Sequence, residues 1–121
     1  MYYVRVEADF SAAHFLSHYH GKCERLHGHN YLVRAWATGA ELDEGGMVLD
    51  FGDLKDALRK VVGELDHRNL NDFPVFRDDP SAERIARHVF DSIAEILPAA
   101  PLQAVEVFET PTSMARYERD D

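Results

Sequence analysis

The chain has 121 residues, 45% hydrophobic and 29% charged, which is the balance of an ordinary globular domain and not of a disordered segment. Its formal charge of -9 argues against binding to the phosphate backbone of nucleic acids. No apolar run reaches the roughly 18 residues of a membrane-spanning helix, and none resembles a secretory signal. We therefore expect one cytoplasmic domain over residues 1–121, with neither nucleic acid nor membrane as partner.

Two strands are predicted in the first third of the chain, where apolar and polar residues alternate. The first covers residues 3–10 and the second runs from about residue 29 to residue 38. The residues expected to share one face are Val4, Val6, Ala8 and Phe10 in the first strand, and Tyr31, Val33, Ala35 and Ala37 in the second.

Apolar residues at steps of three and four then predict two amphipathic helices, over residues 53–65 and from about residue 81 to residue 97. Pro98 ends the second helix. Two further strands are predicted over residues 102–109 and 113–118. The order ββααββ predicts an α+β domain in which both helices cover one face of a four-stranded antiparallel sheet.

A His-Gly-His sequence begins the second strand, at His27, Gly28 and His29. Two residues separated by one point to the same side of a strand, so both imidazoles can reach one ion. His14 follows the first strand and can approach the same place, because neighbouring strands lie about 4.8 Å apart. Three neutral histidines leave a fourth coordination position open, as in catalytic zinc sites.

Other interpretations of these residues stay open on spacing alone. His18 and His20 form a second His-x-His pair, and such pairs also occur as simple surface features. Cys23, the single cysteine, lies four residues before His27. A thiol beside a cation has a lowered pKa and becomes a better base or nucleophile, but an isolated cysteine is also common as a small buried side chain.

Two further groups could take part in proton transfer or ligand binding. Asp66 and His67 follow the first helix, and an aspartate can orient an imidazole that moves protons. We expect their partners to lie elsewhere in the chain, and a helix end with a favourable dipole explains them equally well. Glu109 ends an apolar strand, where a ligand with two parallel N–H groups could pair with it. An exposed strand end is the alternative.

Taken together, residues 11–14, 23–31, 65–71 and 108–110 resemble, in order and spacing, the motifs of the 6-pyruvoyl-tetrahydropterin synthase and 6-carboxytetrahydropterin synthase family. The resemblance covers nearly the whole chain. It implies a T-fold whose sheets assemble into a barrel, commonly a homohexamer of two stacked trimers. It assigns Zn²⁺ to His14, His27 and His29, and leaves His18 and His20 as loop histidines.

The resemblance also implies a substrate and roles for other residues. Proton transfer falls on Cys23, Asp66 and His67, and recognition of the pterin ring falls on Glu109. The substrate implied is 7,8-dihydroneopterin triphosphate. The chain length and the Cys-x-x-x-His-Gly-His spacing favour the carboxytetrahydropterin branch, which releases acetaldehyde and triphosphate on the way to 7-deazaguanine compounds such as queuosine. Basic residues beside the motifs are candidates for triphosphate binding: Lys22, Arg25 and Arg68.

Three alternatives remain at this point. The pyruvoyl reaction belongs to the same family. Glu24 lies three residues before His27, as in relatives that act on dihydroneopterin in folate synthesis, so a folate-directed activity is also open. A metal-binding module without catalysis, or a cupin-like barrel, would use His-x-His as well, although two helices between the strands argue against a jelly roll.

Overall fold

The structure is a computed structural model, and it describes residues 1–18, 21 and 25–119. Its strands are β1 (Tyr2–His14), β2 (His27–Gly39), β3 (Leu102–Thr110) and β4 (Ser113–Glu118). Its α-helices are α1 (Phe51–Leu65) and α2 (Ala82–Ile96), and the connection between them contains the short 3₁₀ helices Leu70–Asp72 and Pro74–Phe76. The predicted order ββααββ is confirmed.

The four strands form one antiparallel sheet in the order β1-β2-β3-β4. Phe10 lies opposite Tyr31, and Val33 lies opposite Val107, so the alternating apolar residues meet on one face. Both helices pack on this face, α1 against β1 and α2 against β3 and β4. The core therefore lies between the sheet and the helix layer, as the sequence predicts.

Both helices begin at residues that cap their free N–H groups. The Asp50 side chain accepts a hydrogen bond from the N–H of Gly52 at 2.7 Å, and Ser81 accepts one from the N–H of Arg84 at 3.2 Å. Because Asp50 is the cap, α1 starts at Phe51, two residues before the prediction. Its buried stripe holds all the apolar residues expected there, namely Leu54, Ala57, Leu58, Val61, Val62 and Leu65.

The first two strands extend further than predicted, by one residue each at Tyr2 and Gly39 and by more at the other end of the sheet, which carries the histidines. The prediction ended β1 at Phe10, whereas the strand reaches His14, which pairs with His27. The inward alternation continues through Ala12 and His14, both buried. These side chains are too small or too polar to be recognised as a buried apolar face from sequence.

The opposite face of the sheet carries no helix in the described residues. At its centre, Glu106 accepts hydrogen bonds from Trp36 Nε1 at 2.6 Å and from the Arg116 guanidinium at 2.9 Å. Trp36 also lies beneath the guanidinium groups of Arg5 and Arg116. This face of the sheet therefore carries both aromatic and charged side chains. Within the described residues, neither helix has the length and apolar character that crossing a membrane requires.

Candidate metal centre and active site

The inward-facing side chains at the adjoining ends of β1 and β2 are three histidines. Antiparallel register places His14 opposite His27, and the small Ala12 opposite His29. One ring nitrogen from each of the three histidines lies within 4.8 Å of the other two. The ring centroids of His14 and His27 are 4.5 Å apart, and those of His27 and His29 are 4.8 Å apart. The structure thus brings together the residues that the resemblance assigns to zinc.

Backbone carbonyls determine which nitrogen of two rings is free to bind a metal. His14 Nδ1 lies 2.7 Å from the Pro80 carbonyl oxygen, and His27 Nδ1 lies 2.7 Å from that of Arg25. A carbonyl only accepts, so each Nδ1 carries the proton and each Nε2 keeps its lone pair. An imidazole that donates its second N–H to a carbonyl is the usual arrangement of metal-binding histidines.

His14 Nε2 and His29 Nε2 are buried and have no hydrogen-bond partner among the residues that the structure describes. Buried polar atoms without partners are rare because each costs desolvation energy, so they call for an explanation. A cation held by the three rings provides one. Burial lowers the pKa of His14 and of His29, which favours the neutral form that binds metals. The nitrogen ligands, their number and their protonation state therefore fit a zinc ion.

Glu109 lies beside this cluster. It shares the inward face of β3 with Val105 and Val107 and places Oε1 3.9 Å from His14 Nε2 and Oε2 3.9 Å from His29 Nε2. Its side chain also lines a cavity of about 270 Å³ at the beginning of α2. The carboxylate is partly exposed, so a bound molecule can reach it.

The segment after α1 runs alongside the end of β1. His67 donates its N–H to the Ser11 carbonyl at 2.6 Å, and Ala13 donates to the Arg68 carbonyl at 3.1 Å. Asp66 accepts the N–H of Ser11 at 2.8 Å. These contacts fasten the Asp66–His67 sequence to the strand that carries His14.

Ser11 is a partner of Asp66 from elsewhere in the chain, as expected, but Asp66 and His67 also contact each other, with 2.9 Å between Oδ2 and Nδ1. The reason is the left-handed backbone of His67, with φ 59°, which turns its ring back towards the preceding carboxylate. Hydrogen bonds from the Ser11 N–H and from the His67 side chain lower the pKa of Asp66. The pair can therefore hold an anionic carboxylate against an imidazole.

One cleft of about 480 Å³ is lined by residues from both groups, including His29, His67 and Arg68. One histidine of the cluster, His29, and one member of the pair, His67, thus border a common space. The Arg68 guanidinium lies 4.9 Å above the ring of Phe73. Arg25 is exposed, and it is its carbonyl that contacts His27.

Several predicted residues are not placed with the cluster. His18 directs Nδ1 to the carboxylate of Asp79, so the structure does not bring it to the three histidines. The others lie outside the described residues: His20, Lys22, Cys23 and Glu24.

Two residues that contact the histidine cluster were not identified as such from the sequence. Pro80 acts through its backbone carbonyl, and no side-chain pattern signals that. Tyr31 lies with its ring centroid 5.3 Å from that of His29, and its buried hydroxyl has no hydrogen-bond partner among the described residues. The same two-residue spacing that relates His27 to His29 relates His29 to Tyr31, so strand periodicity could have identified the tyrosine.

Comparison with known proteins matches residues 3–120 to the family model described as 6-pyruvoyl tetrahydropterin synthase. The 6-carboxy-5,6,7,8-tetrahydropterin synthase of Synechocystis sp. is 42% identical, over 97% of this chain and 93% of that protein. The protein of the same name from Bacillus subtilis is 38% identical, over 88% and 78%. The structure of Caenorhabditis elegans 6-pyruvoyl tetrahydropterin synthase superposes with a TM-score of 0.85 at 31% identity, covering 99% of this chain and 98% of that one. The chain therefore belongs to the 6-pyruvoyl tetrahydropterin synthase family.

Proposed function

We propose that the chain is a zinc-dependent 6-carboxy-5,6,7,8-tetrahydropterin synthase, which converts 7,8-dihydroneopterin triphosphate to 6-carboxytetrahydropterin and releases acetaldehyde and triphosphate. The observation that carries the proposal is the convergence of His14, His27 and His29 beside Glu109. The names of the Synechocystis and Bacillus subtilis relatives support this branch of the family, and the first of them aligns with nearly the whole chain. The product would feed 7-deazaguanine synthesis, including that of queuosine.

The metal would be held by the Nε2 atoms of His14 and His27 together with His29. A zinc ion held there would supply Lewis-acid chemistry, namely polarisation of the substrate's side-chain oxygens and acidification of the adjacent C–H bonds. The carbonyls of Pro80 and Arg25 hold two of the rings in the orientation that this requires. Their contribution is positional, and it exists before any ligand binds.

Glu109 would bind the pterin ring. An ionised carboxylate accepts two parallel N–H groups, and the ring N–H and the 2-amino group of a pterin offer such a pair. The proximity of Glu109 to the histidines would orient the bound ring so that its side chain extends towards the metal. Recognition of the ring and activation of its side chain are then assigned to neighbouring groups.

Proton transfer would be carried by Cys23 with the Asp66–His67 pair. Asp66 is anchored by Ser11 and contacts the His67 imidazole, which lines the same cleft as His29. An imidazole held by a carboxylate can relay protons near neutral pH. Cys23 precedes the His27 ligand by four residues in sequence, and a nearby cation would favour its thiolate.

The triphosphate would be bound by Arg68 together with Lys22 and Arg25. Arg68 lines the cleft beside His67, and its stacking on Phe73 limits the positions of the guanidinium. A local basic group is needed here because the formal charge of the whole chain is -9.

The proposed assembly is a homohexamer of two stacked trimers. Its support in this chain is the face of the sheet opposite the helices, where Trp36 and Phe108 lie among charged side chains. A sheet face that combines aromatic and paired charged groups is suited to enclosure by other copies. Sedimentation velocity would give the subunit number, and a monomer at micromolar concentration would contradict the assembly.

The test of the activity is to incubate the zinc-loaded protein separately with 7,8-dihydroneopterin triphosphate and with 7,8-dihydroneopterin, and to identify products by mass spectrometry. We expect 6-carboxytetrahydropterin and acetaldehyde from the first substrate. A 6-pyruvoyl product would assign the other branch of the family. A 6-hydroxymethyl product from dihydroneopterin would assign a folate-directed activity, and zinc binding without any product would leave a metal-binding module.

A further inference from the structure

The turn over residues 77–80, just before α2, contacts the chain around His14 at two places. The Pro80 carbonyl accepts the His14 Nδ1–H at 2.7 Å, and the Asp79 carboxylate accepts the N–H of Ser17 at 2.6 Å. His14 and Ser17 are three residues apart in sequence. One turn therefore holds both the ring of a metal ligand and the chain that leaves it.

Asp79 is the centre of this contact. Its carboxylate also accepts the Ser17 hydroxyl at 3.0 Å and the His18 N–H at 3.3 Å, and it pairs with His18 Nδ1. These hydrogen bonds, that of the His18 side chain first, lower the pKa of Asp79 to about 2. The carboxylate is consequently ionised at neutral pH, where hydrogen bonds to a charged acceptor are strong.

The turn is itself fixed by α2. Arg77 and Asp78 have left-handed backbone conformations, with φ of 52° and 70°. Non-glycine residues keep such conformations only where their surroundings hold them. Arg84 of α2 donates to the carbonyls of Phe76 at 2.7 Å and Asp79 at 3.3 Å. The turn is therefore attached to the first turn of α2 as well as to β1.

A second attachment acts on the same chain segment. Asn71 accepts the N–H of Phe15 at 2.9 Å and donates to the Phe15 carbonyl at 3.0 Å and to the Asp78 carbonyl at 3.0 Å. Phe15 is thus bound on both sides of its peptide, next to His14. Asn71 holds the beginning of the segment and Asp79 holds its continuation.

We propose that Asp79 is a positioning residue for the metal centre: by binding Ser17 and His18 it holds the end of β1 so that His14 keeps Nδ1 on the Pro80 carbonyl and Nε2 towards His27 and His29. This inference deepens the proposed zinc site and rests on it. A side chain that is already oriented loses little conformational freedom when the ion binds. If the His14 ring is no longer held in place, more freedom is lost on binding, and the affinity for zinc falls. Changes in groups that orient metal ligands reduce metal affinity about 10–100-fold.

The test compares Asp79→Ala with Asp72→Ala in the full-length chain. Asp72 is an exposed residue in the same connection, and its backbone N–H donates to the Asn69 carbonyl at 3.1 Å. Metal-free protein is titrated with Zn²⁺ against a competing chelator, and with Co²⁺ followed by its visible spectrum. We expect one ion per chain in both variants, a zinc Kd about 10–100-fold higher for Asp79→Ala, and a change below twofold for Asp72→Ala.

Two further measurements separate positioning from general damage. Asp79→Asn keeps an acceptor oxygen for Ser17, so its zinc Kd should lie between those of wild type and Asp79→Ala. Hydrogen exchange of metal-free Asp79→Ala should accelerate in residues 15–18 and stay unchanged in the middle of α2. A zinc Kd equal to that of wild type in Asp79→Ala overturns the positioning role alone. If the wild-type chain binds neither ion, the zinc site itself is wrong and the positioning role fails with it.

Discussion

The carboxylate of Glu109 lies against His14, with 3.9 Å between Oε1 and Nε2. This distance is too long for a hydrogen bond but short enough for a direct electrostatic interaction. His29 Nε2 lies at the same distance from the other carboxylate oxygen. A carboxylate thus adjoins the nitrogens assigned to the metal. The proposed roles, pterin binding by Glu109 and metal binding by the histidines, can be separated by substitution.

Replacing Glu109 by glutamine should weaken pterin binding while leaving zinc bound. The amide keeps the shape of the carboxylate but presents one oxygen and one NH₂ group, so one of the two N–H groups of the ring loses its acceptor. A hydrogen bond to a charged group contributes about 1.5–3 kcal/mol, which corresponds to roughly 10–150-fold in KM or in the Kd of a pterin. Fluorescence titration with a pterin measures the Kd, and elemental analysis measures zinc. Loss of zinc in Glu109→Gln would indicate instead that Glu109 is a ligand.

Replacing His27 by alanine should remove the metal. Only two of the three histidine ligands then remain. Because the alanine leaves a gap at the partly exposed start of β2, we do not expect a neighbouring group to replace the lost ligand. We expect zinc content near zero after dialysis and a Kd raised by at least about 100-fold. His88→Ala is the matched control, since His88 lies on α2 against Phe76 and away from the cluster. Equal zinc content in both variants would contradict the assigned ligands.

Replacing Cys23 by alanine should abolish turnover without loss of zinc. The proposed role of the thiol is to move protons, and general acid–base groups contribute about 10²–10⁴-fold to the rate. We expect kcat to fall by about that factor, while zinc content and KM stay close to wild type. Normal turnover of Cys23→Ala would show that the proton is moved by another group.

Asp66→Asn tests the neighbouring pair. The neutral amide can no longer place a negative charge beside His67. If its NH₂ group faces the Ser11 N–H, two donors face each other and that hydrogen bond is lost. We expect kcat to fall about 10–100-fold with zinc retained. Asp72→Asn, at an exposed carboxylate in the following connection, should leave kcat unchanged. An unchanged kcat in Asp66→Asn would exclude the pair from proton transfer.

The histidine on α2 predicts a pH dependence of stability. Burial lowers the pKa of His88, against the opposing influence of Glu64, Asp91 and Glu95. As pH falls below about 6.5, the unfolded chain gains a proton that the folded chain resists, so the free energy of unfolding decreases. We expect His88→Gln to lose less stability than wild type between pH 7.5 and 5.5, by up to about 1 kcal/mol, in urea unfolding. Parallel pH curves for the two proteins would contradict this assignment.

The sequence predicted the elements because their signals are local. Helix α2, with a regular apolar stripe and a serine cap, differs from its prediction by one residue at each end. The three histidines are separated by up to 15 positions, and strand geometry alone did not choose between His14 and His18 as the third metal ligand. Only the family resemblance distinguished them.

The contacts that sequence could not predict are backbone contacts and turns. The Pro80 carbonyl that orients His14 comes from a residue 66 positions away, and its chemistry is common to every peptide unit. The left-handed conformation of His67 is equally hidden, because a histidine gives no signal comparable to glycine. Both are set by the packing of the connection against β1.

The antiparallel register has a practical consequence for attaching this protein to other molecules. Tyr2, Gly39 and Leu102 lie at one end of the sheet, with Glu118 opposite Ala104, whereas His14 and His27 lie at the other. The 13 residues of β1 separate the two ends by about 40 Å. A fusion partner or surface linker joined near Tyr2 or after Glu118 would therefore leave the histidine end accessible to small molecules.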